Sequence, residues 1–555
     1  MPSPTQAEAV ALTEGGSDNQ VPPLVDYDVS AADPALHAAL DAAGSPLTPR
    51  LCALAVDAGS GEFIETAQLA NTNPPVLCTH DRAGNRMDQV DFHPAWHSLM
   101  ERAVGAGLQA APWSPESGPH AHLHRATGFY LWTQTESGHL CPISMSYAAI
   151  PALRRNPRLA GQFEPGLRAR HYDFGLRPPA TKHGLLAGMS MTEKQGGSDL
   201  RAGTTQAVPD SPGQEQFRLT GHKWFTSAPM NDVFLTLAQA PGGLTCFLLP
   251  RVLPDGTRNG ISLVRLKDKL GNRSNASAEI EYQNAIGWRI GDEGRGVPTI
   301  LEMVTMTRLD CVLGSAGQMR AALSQATFYA SRRYAFGRPL AEHPAMTAVL
   351  ADLAVESWAA TVTAIRLAAL VDQSLAGDRA ARALLRIALP VSKFWICKRA
   401  VPMIAEALEC LGGNGYVETY PMARLLRESP LNGIWEGSGT VTALDALRAL
   451  GRSPESRDAL LAELRTAQGV SAIFDQALSN LTKLLDQVEP AGARRLASLA
   501  ARTLAASMLI RQAPPEVAEL YCTTRLGEVG DRVFGELPEQ HSAQLGRILE
   551  AVTPT

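Results

Sequence analysis

The spacing of hydrophobic positions changes twice along the chain, marking a helical region, a strand-forming region and a second helical region. The polar, Pro-containing start to about residue 25 reads as a loosely held arm. Residues 30–185 then carry apolar stripes of helical period, clearest over 94–103 and 128–136. From about 186 to 290 the runs shorten. Segments 216–219, 233–239, 245–249, 261–265 and 278–282 alternate or are continuously apolar, with Gly, Pro, Asn and Asp between them, which predicts a compact β domain. Beyond Gly296 the helical period returns in Ala-, Leu- and Arg-rich stretches at 298–333, 343–374, 378–411 and 440–450, each able to bury one face in a bundle. Residues 451–555 keep this texture, with breaks near Gly469, Pro490, Pro514–Pro515 and Pro538, and predict a further helical domain. The expected class is α+β, mainly α, with domains at 1–185, 186–290, 291–450 and 451–555.

Length and composition narrow the function classes. At about 150 residues per domain, 555 residues exceed what a one-domain binding module needs. With 50 Lys+Arg against 55 Asp+Glu, a net charge of −5 and 45% hydrophobic residues, the chain is neither disordered nor, as a whole, a basic nucleic-acid binder. Its 47 glycines and 38 prolines lead us to expect sites built in loops. The eight cysteines stand at 52, 78, 141, 246, 311, 397, 410 and 522 without a C-x-x-C pair or regular spacing, and read as reduced thiols of a cytoplasmic protein. The first 24 residues lack a basic n-region and an apolar h-region, and no uninterrupted apolar run approaches about 18 residues, so neither export nor a membrane span is expected.

Six segments carry candidate chemistry. In Gly188-Met-Ser-Met-Thr-Glu-Lys-Gln-Gly-Gly-Ser-Asp199, Thr192 and Ser198 bracket two glycines. Hydroxyls and unobstructed backbone N–H groups there suit the edge of a planar heterocycle or a phosphate, although Gly-Gly-Ser-Asp alone would also serve as a turn. Gly221-His-Lys-Trp-Phe-Thr-Ser227 offers Trp224 to stack on a ring and Thr226 to hydrogen-bond its edge. Lys269 to Asn275, Arg333-Tyr-Ala-Phe-Gly-Arg-Pro-Leu340, Leu411-Gly-Gly-Asn-Gly-Tyr416 and Ile434-Trp-Glu-Gly-Ser-Gly-Thr440 follow in that order.

This ordered set resembles the acyl-CoA dehydrogenase flavoprotein family, most closely its AidB branch of adaptive-response flavoproteins. Met191 to Asp199, Leu266 to Ser277 and Ile434 to Gly439 are near-literal matches to that branch, and Leu69 to Pro75 and Phe92 to Trp96 match its N-terminal extension; the likeness is weakest after about residue 450. The resemblance implies an N-terminal helical domain, a central β barrel, a C-terminal helix bundle and an additional helical tail, assembled as a homotetramer that binds FAD non-covalently. It assigns Met191, Thr192 and Ser198 to the loop holding the flavin ring and pyrophosphate. Trp224, Phe225, Thr226 and Ser227 fall on the second flavin-contacting strand, which is one residue shorter here than in the common form, and Thr226 falls near flavin N5. Arg333 and Phe336 match residues that reach the FAD of a neighbouring subunit, and Gly412 and Gly413 match a backbone approach to its phosphates. Trp435, Gly437, Ser438 and Gly439 complete the cofactor-binding set, while Glu409 replaces a Gln carried by many relatives.

The same resemblance makes Glu436 the catalytic residue, a carboxylate that removes the α-proton of an acyl thioester while a hydride leaves the β-carbon for flavin N5. An apolar pocket would raise such a carboxyl toward neutrality, and the Glu436 backbone N–H can stabilise the charge developing on the thioester carbonyl. A carboxylate capping the helix that begins near Thr440 is the structural alternative. Some subfamilies place the base in an early bundle helix beside an Arg; the matching pair here is Thr307-Arg308, and Thr cannot act as that base. No metal site is expected. His120, His122 and His124 would converge only on a strand, whereas this stretch reads as the lead-in to a helix; Cys410 reads as a buried small hydrophobe. Gly291-Asp-Glu-Gly-Arg-Gly296 has the wrong order and place for a Rossmann fingerprint.

Two functions compete. One is an FAD-dependent dehydrogenase of short or branched acyl-CoA, with an electron-transfer flavoprotein or another acceptor as partner. The other is an AidB-like, DNA-associated flavoprotein that protects against or destroys alkylating agents and has weak dehydrogenase activity. Residues 446–555 hold 12 Lys+Arg and 13 Asp+Glu, a charge of −1, so any duplex-DNA contact must come from a local cluster such as Arg494, Arg495, Arg502 and Arg511.

Overall fold

The computed structural model describes residues 19–211, 213–487, 489–527, 533–534, 536–537 and 541–554. Most of the expected N-terminal arm, residues 1–18, and the expected break at Pro538 lie outside them. The chain forms two compact units, one spanning Glu62–Asp310 and the other combining the chain up to Gly61 with Cys311–Thr555.

In the Glu62–Asp310 unit, strands β1 (Val76–His80) and β2 (Arg86–Asp91) pair antiparallel ahead of four helices, Pro94–Gly105, Ala121–Thr133, Leu140–Leu153 and Pro157–Arg168. The hairpin interrupts a region expected to be mostly helical. Its turn is fixed by Asp81, whose Oδ1 accepts from the N–H groups of Ala83 and Asn85, both at 2.8 Å, and by Gly84 at φ 82°. The helix expected over 128–136 ends at Thr133, and Glu136 instead accepts from the N–H groups of Gly138 and His139.

Seven further strands follow: β3 (Ala187–Ser190), β4 (Gln206–Pro209), β5 (Gln216–Ser227), β6 (Val233–Ala240), β7 (Gly243–Pro250), β8 (Ile261–Leu266) and β9 (Ser277–Ile290). They run in the order β3-β6-β4-β5-β9-β7, with β8 on β9, and an additional β6–β7 pairing closes the sheet into a barrel. The alternating residues predicted as strands place Phe217, Leu219, Phe247, Leu249, Ile280 and Tyr282 together in its core.

In the second unit, long helices run over Pro344–Leu375 and Arg379–Glu409, and the helix Gly296–Arg332 starts before its first residue, Cys311. Among the described residues, Pro344–Leu375 alone is long and apolar enough to cross a membrane, and 89% of its most apolar stretch is buried, as befits the core helix of a bundle. The tail helices pack into this same unit. Arg525 donates to Asp352 Oδ1 at 2.6 Å and Glu356 Oε2 at 2.8 Å, and Arg399 reaches the same Glu356 oxygen at 3.0 Å. The described end of the N-terminal arm is anchored rather than loose: Asn19 Nδ2 donates to Tyr334 O at 2.8 Å and Asn19 Oδ1 accepts from Tyr334 N at 3.0 Å.

Candidate active site

The loop after β3 is shaped by Glu193. Its carboxylate accepts from Lys223 Nζ at 2.8 Å, from Thr204 N at 2.6 Å and from Thr205 Oγ1 at 2.6 Å. Burial opposes the charge on Glu193, but the Lys223 ammonium and these donors outweigh it and hold the carboxyl below its ordinary range. Met191 and Thr192 are half-buried, and Ser198 is exposed. A Cβ on Gly197 would stand 2.6 Å from Thr192 Oγ1, so the absence of a side chain there makes room for the hydroxyl. Gly196, at φ 141°, has open space where a Cβ would stand.

The loop and β5 meet directly, with Trp224 N donating to Thr192 O at 2.8 Å. Opposite β9 the register slips between Lys223 and Thr226, so Trp224 and Phe225 occupy a β-bulge. The bulge changes what each residue offers. Thr226 is buried, with Oγ1 2.6 Å from Ser190 Oγ. Lys267 Nζ stands 3.5 Å over the Trp224 ring, occupying one of the faces expected to stack. Phe225 is 50% exposed and is the open ring of the pair. Ser227 Oγ lies 3.2 Å from Ser277 Oγ.

In the other unit Arg333 precedes a two-strand hairpin, β10 (Tyr334–Ala335) and β11 (Arg338–Pro339), whose tip is Phe336 at φ 52°, 98% exposed. The Arg333 guanidinium donates to Asn19 O. Gly412 and Gly413 are exposed, with nothing within 4 Å of where a Cβ would stand. Asn414 beside them donates to Tyr329 OH at 3.1 Å.

Glu436 is half-buried at φ 58°, a left-handed conformation costly for a residue with a Cβ, and Gly437 follows at φ 103°. The turn is tied from below. Trp435 Nε1 donates to Asn432 Oδ1 at 2.9 Å, and the buried Lys393 ammonium donates to Asn432 O and Gly437 O, each at 2.9 Å. Ser438 is the N-cap of the helix Gly439–Arg452 and makes no capping bond with its side chain. Thr307 Oγ1 donates to carbonyls of its own helix, those of Met303 and Val304.

Glu193, Lys223 and Lys393 were not singled out from the sequence. The available signals were a Lys at an inward position of the β5 alternation and one Lys within the apolar run Ala388 to Ile396. Of the three histidines, His120 precedes the helix Ala121–Thr133, and His122 is buried against Tyr147 OH at 2.8 Å. Burial, with the Arg125 and Arg154 guanidiniums, pushes His122 down to about 4. Among the described residues no group of three His, Cys, Asp or Glu side chains is placed to hold a metal ion. Burial, with Glu406 and Glu409 nearby, pushes the Cys410 thiol up to about 12, leaving it a poor nucleophile.

Comparison with known proteins agrees with this architecture. Residues 19–174 match the adaptive response protein AidB N-terminal domain, 188–285 the acyl-CoA dehydrogenase middle domain and 294–451 the acyl-CoA dehydrogenase C-terminal domain. The chain is 42% identical to AidB of Escherichia coli (strain K12) over 514 residues, covering 92% of this chain and 94% of that protein. The structure of Caenorhabditis elegans ACDH-11 in complex with C11-CoA superposes with a TM-score of 0.83 at 29% identity, covering 96% of this chain and 97% of that one. An acyl-CoA dehydrogenase from Bacillus anthracis, complexed with FAD, shares the fold at a TM-score of 0.64 and 17% identity, covering 88% of this chain and 90% of that one. Three consecutive domain matches and an alignment running nearly end to end leave one assignment: the chain belongs to the acyl-CoA dehydrogenase family, in its AidB branch.

Proposed function

We propose that this protein oxidises short or branched acyl-CoA thioesters, with Glu436 as the base that takes the α-proton. The observation that carries the reading is the Trp435-Glu436-Gly437 turn, which spends conformational energy to hold a carboxylate in a left-handed position at the family's Glu-Gly segment.

The cofactor is FAD, as in the family. Open backbone at Gly196 and the exposed Phe225 ring suit a planar heterocycle, and the open backbone at Gly412 and Gly413 suits the phosphates of a neighbouring subunit's flavin. Bound flavin supplies the hydride acceptor. Thr192 and Ser198 offer hydroxyls to it, Glu193 and Lys223 fix the loop that carries them, and Phe225, the exposed ring beside Trp224, offers a stacking surface. Glu436 receives the α-proton on its carboxylate, and its backbone N–H suits the thioester carbonyl oxygen. The reading extends to a cytoplasmic homotetramer in which Arg333 and Phe336 serve a neighbouring subunit's flavin, and to an electron-transfer flavoprotein or similar acceptor.

Of the four arginines on the helix Ala493–Gln512, Arg494 and Arg495 are exposed, and Arg502 and Arg511 are engaged by other groups of the unit. Arg494 lies over Phe394 at 5.5 Å, Arg502 donates to Arg525 O at 2.6 Å and Arg511 pairs with Glu463 at 2.8 Å. Purified protein is expected to be yellow, to release FAD on denaturation and to bleach anaerobically with at least one member of a panel of acyl-CoA esters. Absence of bleaching across short, branched and long esters would overturn the proposal.

A further inference from the structure

Lys393 is buried on the helix Arg379–Glu409, and among the described residues no carboxylate lies within ion-pair distance of its ammonium. An ammonium in such a place is costly, and it persists where fixed dipoles replace its water. Here they are two carbonyl oxygens, those of Asn432 and Gly437, which flank the Trp435-Glu436 step. The same segment is held at a second point: Trp435 Nε1 donates to Asn432 Oδ1, and Asn432 Nδ2 donates to Ser315 Oγ at 3.3 Å. The ammonium therefore grips both ends of the turn, and Glu436, the last of the four residues between them, is the one with φ 58°.

We infer that Lys393 is the positioning residue of Glu436: by holding the Asn432 and Gly437 carbonyls it forces the left-handed turn that aims the Glu436 backbone N–H and carboxylate. Without the ammonium the Gly437 carbonyl is released, and the Glu436 backbone relaxes toward the right-handed region that a residue with a Cβ prefers. This inference rests on the reading of Glu436 as the base only for its catalytic consequence; the mechanical link stands or falls separately.

The test is a double-mutant cycle on the full-length holoprotein with Lys393→Met and Glu436→Gly, read as melting midpoints at fixed concentration and scan rate. In the parent, Glu436→Gly relieves the left-handed cost and is expected to raise the midpoint by about 1–4 °C. In the Lys393→Met background the turn has relaxed, and the same substitution is expected to change the midpoint by less than about half as much. Equal effects in both backgrounds would overturn the inference, because a lysine that merely stabilises the bundle adds to Glu436→Gly without coupling to it. If Lys393→Met does not fold, the cycle is run with Lys393→Gln, which keeps one donor and is expected to show a smaller coupling of the same sign; additivity there overturns the inference equally. Flavin reduction by an acyl-CoA that bleaches the parent gives the second readout. Lys393→Met is expected to keep its FAD and to lower kcat at least about tenfold, with KM changed less than about threefold, the split expected for a group that acts only in the transition state. Coupling without a loss of kcat would refute the assignment of Glu436 as base and leave the mechanical link intact.

Discussion

Lys223 Nζ lies 2.8 Å from Glu193 Oε1, and the two side chains are 1% and 2% exposed. The pair, 30 residues apart in sequence, joins the loop carrying Thr192 to the bulged strand carrying Phe225, two segments that the sequence suggested would meet on one ligand. Its burial makes it a brace whose removal is costly, because breaking one partner leaves the other charged and desolvated.

Glu193→Gln and Lys223→Met are each expected to destabilise the fold by about 3–5 kcal/mol. Both are expected to lower FAD retention, since the loop loses its anchor. Calorimetry and flavin-to-protein ratios check this; a Lys223→Met protein with parental melting and full flavin would contradict it. Because Glu193 is held below its ordinary value, its stabilisation is full above about pH 4.5 and is lost as the pH falls through the lowered value.

A second acid-sensitive link ties the tail to the bundle. Burial alone would raise Glu356, but the Arg399 and Arg525 guanidiniums bring it down to about 2. Its folded value is below the unfolded one, so the stabilisation, about 3 kcal/mol, is present above about pH 4.5 and lost between there and about pH 2. Unfolding free energies measured from pH 6 to pH 3 are expected to fall more steeply in the parent than in Glu356→Gln. Identical slopes would remove the network from the account.

How much of this was legible from the sequence depended on whether the determinant was local. Five of the seven barrel strands were legible because one buried face imposes alternation on neighbouring residues, as in Phe217, Leu219 and Lys223, whereas β3 and β4, of four residues each, were too short to show it. The β1–β2 hairpin was missed: its strands span five and six residues and its only strong marker is the Asp81–Gly84 turn. That Phe225 is the more exposed ring of the Trp224–Phe225 pair was not legible, because it depends on a bulge opposite Ile280 and Ala278 and on Lys267 standing over the Trp224 ring. Lys393 escaped for the same reason: its partners are main-chain carbonyls 39 and 44 residues away, and carbonyls leave no mark in a residue pattern.

The hairpin tip supports a prediction about assembly. Phe336 is 98% exposed at the hairpin tip, and the proposed function gives it to a neighbouring subunit's flavin. Phe336→Ser and Arg333→Ala are expected to lower both flavin retention and the fraction of oligomer seen by light scattering. A monomeric parent with full flavin occupancy would contradict the shared-site reading.

Duplex DNA is expected to bind weakly, without base preference and only at low salt, given the tail charge of −1 and the engagement of Arg502 with Arg525 O and of Arg511 with Glu463. Titrations across salt concentration decide it. Tight binding that persists above physiological salt would restore the DNA-associated reading.

The most direct test of the central claim is stopped-flow reduction of the flavin in Glu436→Gln by an acyl-CoA ester that bleaches the parent. Gln keeps the size of the side chain and removes its basic site. FAD content and melting are expected to stay near parental, while reduction slows by about 10²–10⁴-fold, the contribution of a positioned base. Reduction at the parental rate would show that Glu436 is a structural residue of its turn and that another group takes the α-proton.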